Sequence, residues 1–187
     1  MGDIVLHAGL GSPHGNWKIT TDTSAASNVR MENPDAALAK LSTPLAAPAD
    51  FFEMTFTAEA NRPYRLWVRA RAQNNSYNND SVSVQFSGIV DQAGAPVFRI
   101  GTTGAIPIVL EDCSGCGVSG WGWQDNGYGV GVLGPTISFG SSGVQTIRIQ
   151  RREDGISIDQ IVLSPATYLT TSPGATKNDT RILPRTQ

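Results

Sequence analysis

Apolar and polar residues alternate through most of this chain, and that period of two leaves room for strands and little else. The cleanest case is Tyr64-Arg65-Leu66-Trp67-Val68-Arg69-Ala70-Arg71, where successive side chains must point to opposite faces of a pleated strand. Residues 4–7 open the chain as an apolar strand, and the alternation recurs at residues 52–56, 82–86, 136–139, 144–150 and 156–163, each run bounded by Gly, Asn, Asp or Pro. One helical turn is expected, over residues 35–41, between Pro34 and Pro44. Strands at this spacing predict an all-β fold, an antiparallel β-sandwich rather than a parallel α/β sheet.

The alternation also assigns faces. Tyr64, Leu66, Val68 and Ala70 share one side and belong to the core, while Arg65, Trp67, Arg69 and Arg71 share the other. Trp67 there either packs under arginine stems or floors a ligand cleft. In the last strand Ile156, Ile158 and Val162 form the apolar stripe, with Asp159 opposite, exposed to solvent or ligating a metal. A chain of 187 residues with 40% hydrophobic content can bury one substantial core, which gives a sandwich over residues 1–165. Residues 166–187 are polar and turn-rich. They form a tail or linker, and Tyr168, Ile182 and Leu183 favour docking on the sandwich.

Charge excludes some partners. A net charge of -2 from 14 basic and 16 acidic residues without long runs lacks the footprint of a nucleic-acid or anionic-membrane binder. No apolar stretch approaches the roughly 20 residues of a membrane span. The start, Met1-Gly2-Asp3, has no signal-peptide character and suits a module excised from a longer, multidomain protein. We expect a monomer. Cys113-Ser114-Gly115-Cys116 has CxxC spacing, but no second CxxC follows and the histidines, His7 and His14, lie far upstream. A zinc site or a redox motif is less favoured than a short-range disulfide, which points to an oxidising compartment and a secreted or cell-surface location.

The segment that follows, Trp121-Gly122-Trp123-Gln124-Asp125-Asn126-Gly127-Tyr128-Gly129, reads as a loop displaying aromatics among amides and a carboxylate. Such a surface suits a sugar, whose apolar ring face stacks on an aromatic while its hydroxyls meet polar groups. Residues 73–81 carry Tyr77 among asparagines, including Asn75 and Asn79, that turn chemistry alone can explain. Arg151-Arg152-Glu153-Asp154-Gly155 is a hairpin turn. Glu111 and Asp112 raise the question of catalysis, with Asp125 as the second carboxylate of either pair. No histidine base or nucleophile elbow supports it.

The order of these motifs resembles the β-sandwich carbohydrate-binding modules of families 6 and 35, in the galactose-binding-domain-like group with its jelly-roll topology. Tyr64 to Arg69 is similar to their "Y-x-v-x-v-R" strand, Trp121 to Gln124 to their "G-W-Q" loop, Val144 to Ile149 to "G-x-h-t-l-r-l", and residues 156–163 to the closing "f-n-l-D-w-I" strand. The resemblance implies a cleft with Tyr77 and Trp123 as stacking walls and Glu153 or Asp154 as a polar contact, where the family more often has asparagine. It also implies a structural calcium held by acidic residues of the first strand and the last-strand aspartate. Leu6-His7-Ala8-Gly9 supplies no carboxylate, so Asp159 remains, with Asp22, Glu32 or Asp35 as substitutes.

The expectation is a non-catalytic module that needs no cofactor, with structural calcium as an open addition, and that targets a larger secreted protein to polysaccharide or oligosaccharide. Tyr77 and Trp123 would stack, and Asn75, Asn79, Asp125, Asn126, Glu153 and Asp154 would read hydroxyls. Trp121 and Tyr128 would add a ring face or hold the loop. The competing class is a structural or adhesive sandwich whose aromatic loop packs against a neighbouring domain.

Overall fold

A computed structural model describes residues 2–187. The strands are β1 (Ile4–His7), β2 (Ser12–His14), β3 (Lys18–Thr21), β4 (Val29–Asn33), β5 (Phe51–Ala58), β6 (Arg65–Ala72), β7 (Ser81–Phe86), β8 (Ile89–Val90), β9 (Ile106–Val109), β10 (Gly122–Gln124), β11 (Ser138–Phe139), β12 (Gly143–Arg151) and β13 (Ile156–Ser164). One sheet runs β10-β6-β13-β4-β3, with β1 also on β13, and the other runs β2-β5-β12-β7-β9. A two-stranded ribbon, β8-β11, closes one side. Every strand pair is antiparallel. The fold is the all-β sandwich that the alternation implies.

The core lies between the two sheets. Leu66, Val68 and Ala70 of β6 and Met31 of β4 meet Phe52, Phe56, Val84, Phe86, Ile147 and Ile149 from the opposite sheet. At the ribbon side Phe56, Phe86, Phe139 and Tyr64 form edge-to-face pairs with centroids 5.6–6.2 Å apart, a favoured aromatic geometry. β13 departs from simple alternation. Its register against β6 shifts between Ile158 and Gln160, so Asp159 is an extra residue and the phase inverts beyond it. Ile161 and Leu163 therefore join Ile156 and Ile158 in the core, and Val162, expected on that stripe, faces the other way.

Two expectations fail for backbone reasons. Residues 35–41 form no helix. Ala37 sits at φ 55°, and the amides of Ala36 and Leu38 donate to the Asp154 carboxylate at 2.8 and 2.9 Å, which replaces the bonds a helical turn would make. The tryptophan segment is no loop either, because Gly122-Trp123-Gln124 is edge strand β10, paired with Ala70, Arg69 and Val68.

The outer face of the β6 sheet is covered by residues 166–187. Trp67 Nε1 donates to Tyr168 O at 2.7 Å, Arg65 Nε to Leu169 O at 3.0 Å and Arg69 to Asp179 O at 2.8 Å. Gln160 and Leu183 exchange two bonds, and Thr186 N donates to Val5 O. Leu183 completes a second apolar cluster with Val5, Trp67, Trp123 and Val162. Arg65, Trp67 and Arg69 share a face as expected, yet that face is buried. The tail passes so close that a Cβ on Gly122 would lie 1.9 Å from Thr176 O, so only glycine fits there.

Candidate functional site

Trp123 is fully buried, at 0% exposure. Its amide donates to Ala175 O at 3.0 Å and its indole to Asp179 Oδ1 at 3.2 Å, so the ring offers no face for stacking on a ligand. Trp121 is buried too. Arg69 and Arg71 lie over its ring at 5.0 and 4.5 Å, and its indole donates to Ser24. The aromatic segment does pack against a neighbour, and that neighbour is the chain's own C-terminal tail.

Tyr77 and Tyr128 behave differently. They are 62% and 60% exposed, and both line a cleft of about 690 Å³ with Leu38, Lys40, Asn78, Asp80, Pro107, Val109, Glu111, Arg152 and Glu153. Tyr77 is presented by the loop after β6, where Asn74 and Asn75 adopt φ of 58° and 51°, left-handed values that asparagine tolerates. Asn79 is buried, its amide donating to Asp35 and to Gln73 O, while Asn75 accepts from Gly120 N at 3.0 Å. These asparagines hold the loop and leave Tyr77 outside. Tyr128 is presented by a second device, in which Asp125 accepts from Gly127 N at 2.8 Å and Gly134 N at 2.9 Å, pinning both ends of residues 127–134. Arg65 faces the same carboxylate at 3.4 Å, and Asn126 donates to Pro135 O.

The hairpin between β12 and β13 supplies the floor. Asp154 is buried against the Ala36 and Leu38 amides and is not available as a ligand contact. Holding that segment brings Lys40 Nζ to 2.7 Å from Glu153 Oε1. Glu153 also accepts from the Ser81 hydroxyl and from Asp80 N at 3.3 Å, and Arg152 donates to Ser81 at 2.6 Å. Burial pushes the Asp80 carboxyl up to about 7, with the neighbouring Glu153 and Glu111 adding to it against the bond from Glu111 N. For Glu153 burial acts in the same direction, but its bonds from Lys40 and Ser81 outweigh it and hold the group below its ordinary value. The cleft thus has apolar walls, two open phenol rings and a floor of mutually bonded polar groups.

Of the residues that the sequence singles out, the structure brings together Tyr77, Tyr128 and Glu153. It leaves Trp121, Trp123, Asn75, Asn79, Asp125, Asn126 and Asp154 outside the cleft, each with a role in holding backbone or core. Lys40, Asp80 and Glu111 also line the cleft, and no sequence pattern marks them as ligand contacts. Asp80 meets Glu153 only because β7 and β12 pair, and no local pattern announces a contact 73 positions apart.

The donor chemistry at the expected metal position does not suit a metal ion. Asp159 is fully buried by the β13 bulge and accepts from Ala26 N at 2.6 Å while pairing with the Arg69 guanidinium, so a fixed cation already neutralises it. His7 bonds Ser27 and Leu183 O. Asp22, Glu32 and Asp35 are each engaged by protein donors. These residues do not fit a calcium ion, which takes about 6 to 8 oxygen ligands. Among the described residues one group with ligand atoms close together exists, Asp112, Cys113 and Cys116, and its cysteines are joined in a disulfide. That disulfide closes the turn before β10, and Lys177 of the tail bonds Cys116 O.

No protein-family model matches the chain, and no curated protein matches it in sequence. Among solved structures it is similar to the Podospora anserina GH26-CBM35 β-(1,4)-mannanase, at 13% identity and a TM-score of 0.54, over 89% of this chain and 28% of that one. It therefore spans little more than a quarter of the mannanase. Two separate modules also align: CBM36 in complex with calcium and xylotriose at 16% identity and TM-score 0.48, covering 86% and 98% of the two chains, and the family 35 module of Clostridium thermocellum at 13% and 0.42, covering 86% and 97%. At these identities the likeness is one of fold. That shared fold is the antiparallel β-sandwich described above.

Proposed function

We propose that the chain is a non-catalytic carbohydrate-binding module and that its ligand lies in the cleft between Tyr77 and Tyr128. The observation that carries this reading is the pair of tyrosines, each about three-fifths exposed, set on two separately braced loops at one cleft. Ordered backbone holding open aromatic rings costs apolar exposure that core packing does not explain. A pyranose placed there would cover one ring or both and meet Glu153, Arg152, Lys40 and Asn78 with its hydroxyls. Targeting a larger secreted protein to poly- or oligosaccharide, as a monomeric unit, belongs to the same proposal.

Hydrolysis is the poorer reading of the same carboxylates. Glycosidases hold two carboxyl groups about 5 to 9.5 Å apart across the scissile bond. Asp80 and Glu153 are instead immediate neighbours, with Asp80 N donating to Glu153 Oε2 at 3.3 Å, and Asp125, the second member of the Glu111 and Asp112 pairs, is committed to its loop.

The test is a glycan and polysaccharide panel on the parent chain and on Tyr77→Ala and Tyr128→Ala, with and without chelator and with a reducing-sugar assay alongside. Each substitution is expected to cost about 1 to 3 kcal/mol of binding, without product release and without chelator sensitivity traceable to Asp159. Folded variants that bind as the parent does would refute the site. A parent that binds no glycan would refute the function.

A further inference from the structure

We propose that a second cleft, between the ribbon β8-β11 and residues 91–98, binds a small uncharged aromatic ring bearing a hydroxyl group. The cleft has a volume of about 340 Å³, within the range of about 300–1,000 Å³ usual for small-molecule sites. Its walls are mainly apolar, from Ile89, Val97, Phe98, Ile106 and Ile137. The only ionisable side chain among its lining residues is Asp91, whose Oδ1 is taken by the amides of Ala93 and Ala95 at 2.9 and 2.8 Å. An anionic ligand would find no cationic side chain there, and one oxygen of the single carboxylate is already bonded.

Phe98 gives the cleft its character. It lies at φ 45°, a left-handed conformation that is an outlier for a bulky side chain, and its ring remains 40% exposed. The backbone is fixed on both sides: Phe86 N donates to Phe98 O and Ile100 N to Phe86 O, both at 3.1 Å, and Arg99 Nε holds Ile89 O at 2.7 Å. The surrounding bonds thus impose a costly conformation on a residue whose ring the core does not enclose. Strain of this kind marks places where a side chain is held for use. An aromatic ligand would stack on Phe98 between the apolar walls. Asn126 supplies a polar partner: its Nδ2 donates to Pro135 O, and its Oδ1 is enclosed with no hydrogen-bond partner, a deficit that a ligand hydroxyl would relieve once the amide turned toward it.

This inference does not rest on the sugar site, and the experiment keeps them apart. Phenol is titrated into the isotope-labelled parent chain, with methyl glucoside as the non-aromatic control, and amide shifts are followed by NMR. The expected result is saturable shifts for phenol, centred on residues 89–98 and 135–138, with none at those positions for methyl glucoside. Phe98→Asn keeps a residue that accepts the left-handed backbone, and Ser138→Trp fills the cleft from the opposite wall. Each should weaken phenol binding about tenfold or more, while Tyr77→Ala leaves it unchanged. Phe98→Asn should melt within a few degrees of the parent or above it, since it relieves strain. Absence of saturable phenol shifts, shifts centred elsewhere, or an unaltered phenol affinity in folded Phe98→Asn and Ser138→Trp overturns the proposal. So does a large drop in the melting temperature of Phe98→Asn, which would show the ring to be a packing element.

Discussion

Replacing Asp80 by Asn should make the protein more stable at neutral pH and change little in acid. Asp80 is almost completely buried, and its carboxyl is raised from 3.8 to about 7, by burial first and then by Glu153 and Glu111. Between these values the folded state holds a proton that the unfolded chain releases. The contribution of Asp80 to stability is therefore fully present below about 3.8 and is lost as pH rises through about 7. A shift of about 3 units at about 1.4 kcal/mol per unit gives roughly 4 kcal/mol of pH-dependent loss as an upper figure. Asn keeps the shape and the acceptor for Glu111 N, now 2.8 Å from Asp80 Oδ2, and its amide can donate to Glu153. The assay is urea unfolding followed by tryptophan fluorescence, at constant ionic strength from pH 4 to 8.5, for parent and Asp80→Asn. The difference in unfolding free energy should be small near pH 4 and grow in favour of Asn by several kcal/mol above pH 7. A difference that stays flat with pH, or that grows toward acid, would refute the reasoning about this carboxyl pair.

Asp22 titrates with the opposite sign. Burial acts against its ionised form, but the Ser24 hydroxyl and amide, Arg30 and Arg71 together lower it to about 2, so Asp22→Asn, discounted for solvent screening, should cost about 1 kcal/mol at pH 7 and progressively less as pH falls from about 3.8 toward 2 in the same unfolding assay. Trp123→Ala removes a fully enclosed ring and should destabilise by about 3–5 kcal/mol, with glycan affinity of the remaining folded protein unchanged. Removing residues 166–187 uncovers Trp67 and Trp123, so the truncated chain should bind a hydrophobic dye and show red-shifted tryptophan emission. Unchanged emission would mean that the tail does not seal that face in solution.

Much of the fold is legible in the sequence because a period of two is a local signal, repeated in every long strand. The runs at Phe51–Ala58, Ser81–Phe86 and Gly143–Arg151 carry it plainly. Short edge strands do not: β2, β9 and β10 run three or four residues, too few for periodicity to separate from chance. The β13 bulge defeats alternation in a different way. One inserted residue exchanges the two faces beyond Asp159, and nothing in Ile158-Asp159-Gln160 says on its own that Asp159 will be the residue left over. Its fate as the buried partner of Arg69 follows from that insertion.

The site was legible in part, and the error over Trp123 shows why. Aromatic residues among glycines look displayed when the chain is read locally, because glycine suggests a free backbone. Here Gly122 has the opposite meaning, since its missing side chain lets the tail cross at Thr176 and bury the ring beside it. The glycines around Tyr128 do mark an open turn, with Gly129 at φ 124° and Gly127 tied to Asp125. Identical composition therefore yields a buried tryptophan and an exposed tyrosine five residues apart, and the difference lies in what packs over each from elsewhere in the chain. A residue's exposure is a tertiary property. The ring of this segment that is open to a ligand is therefore that of Tyr128 and not that of Trp123, the largest aromatic beside it.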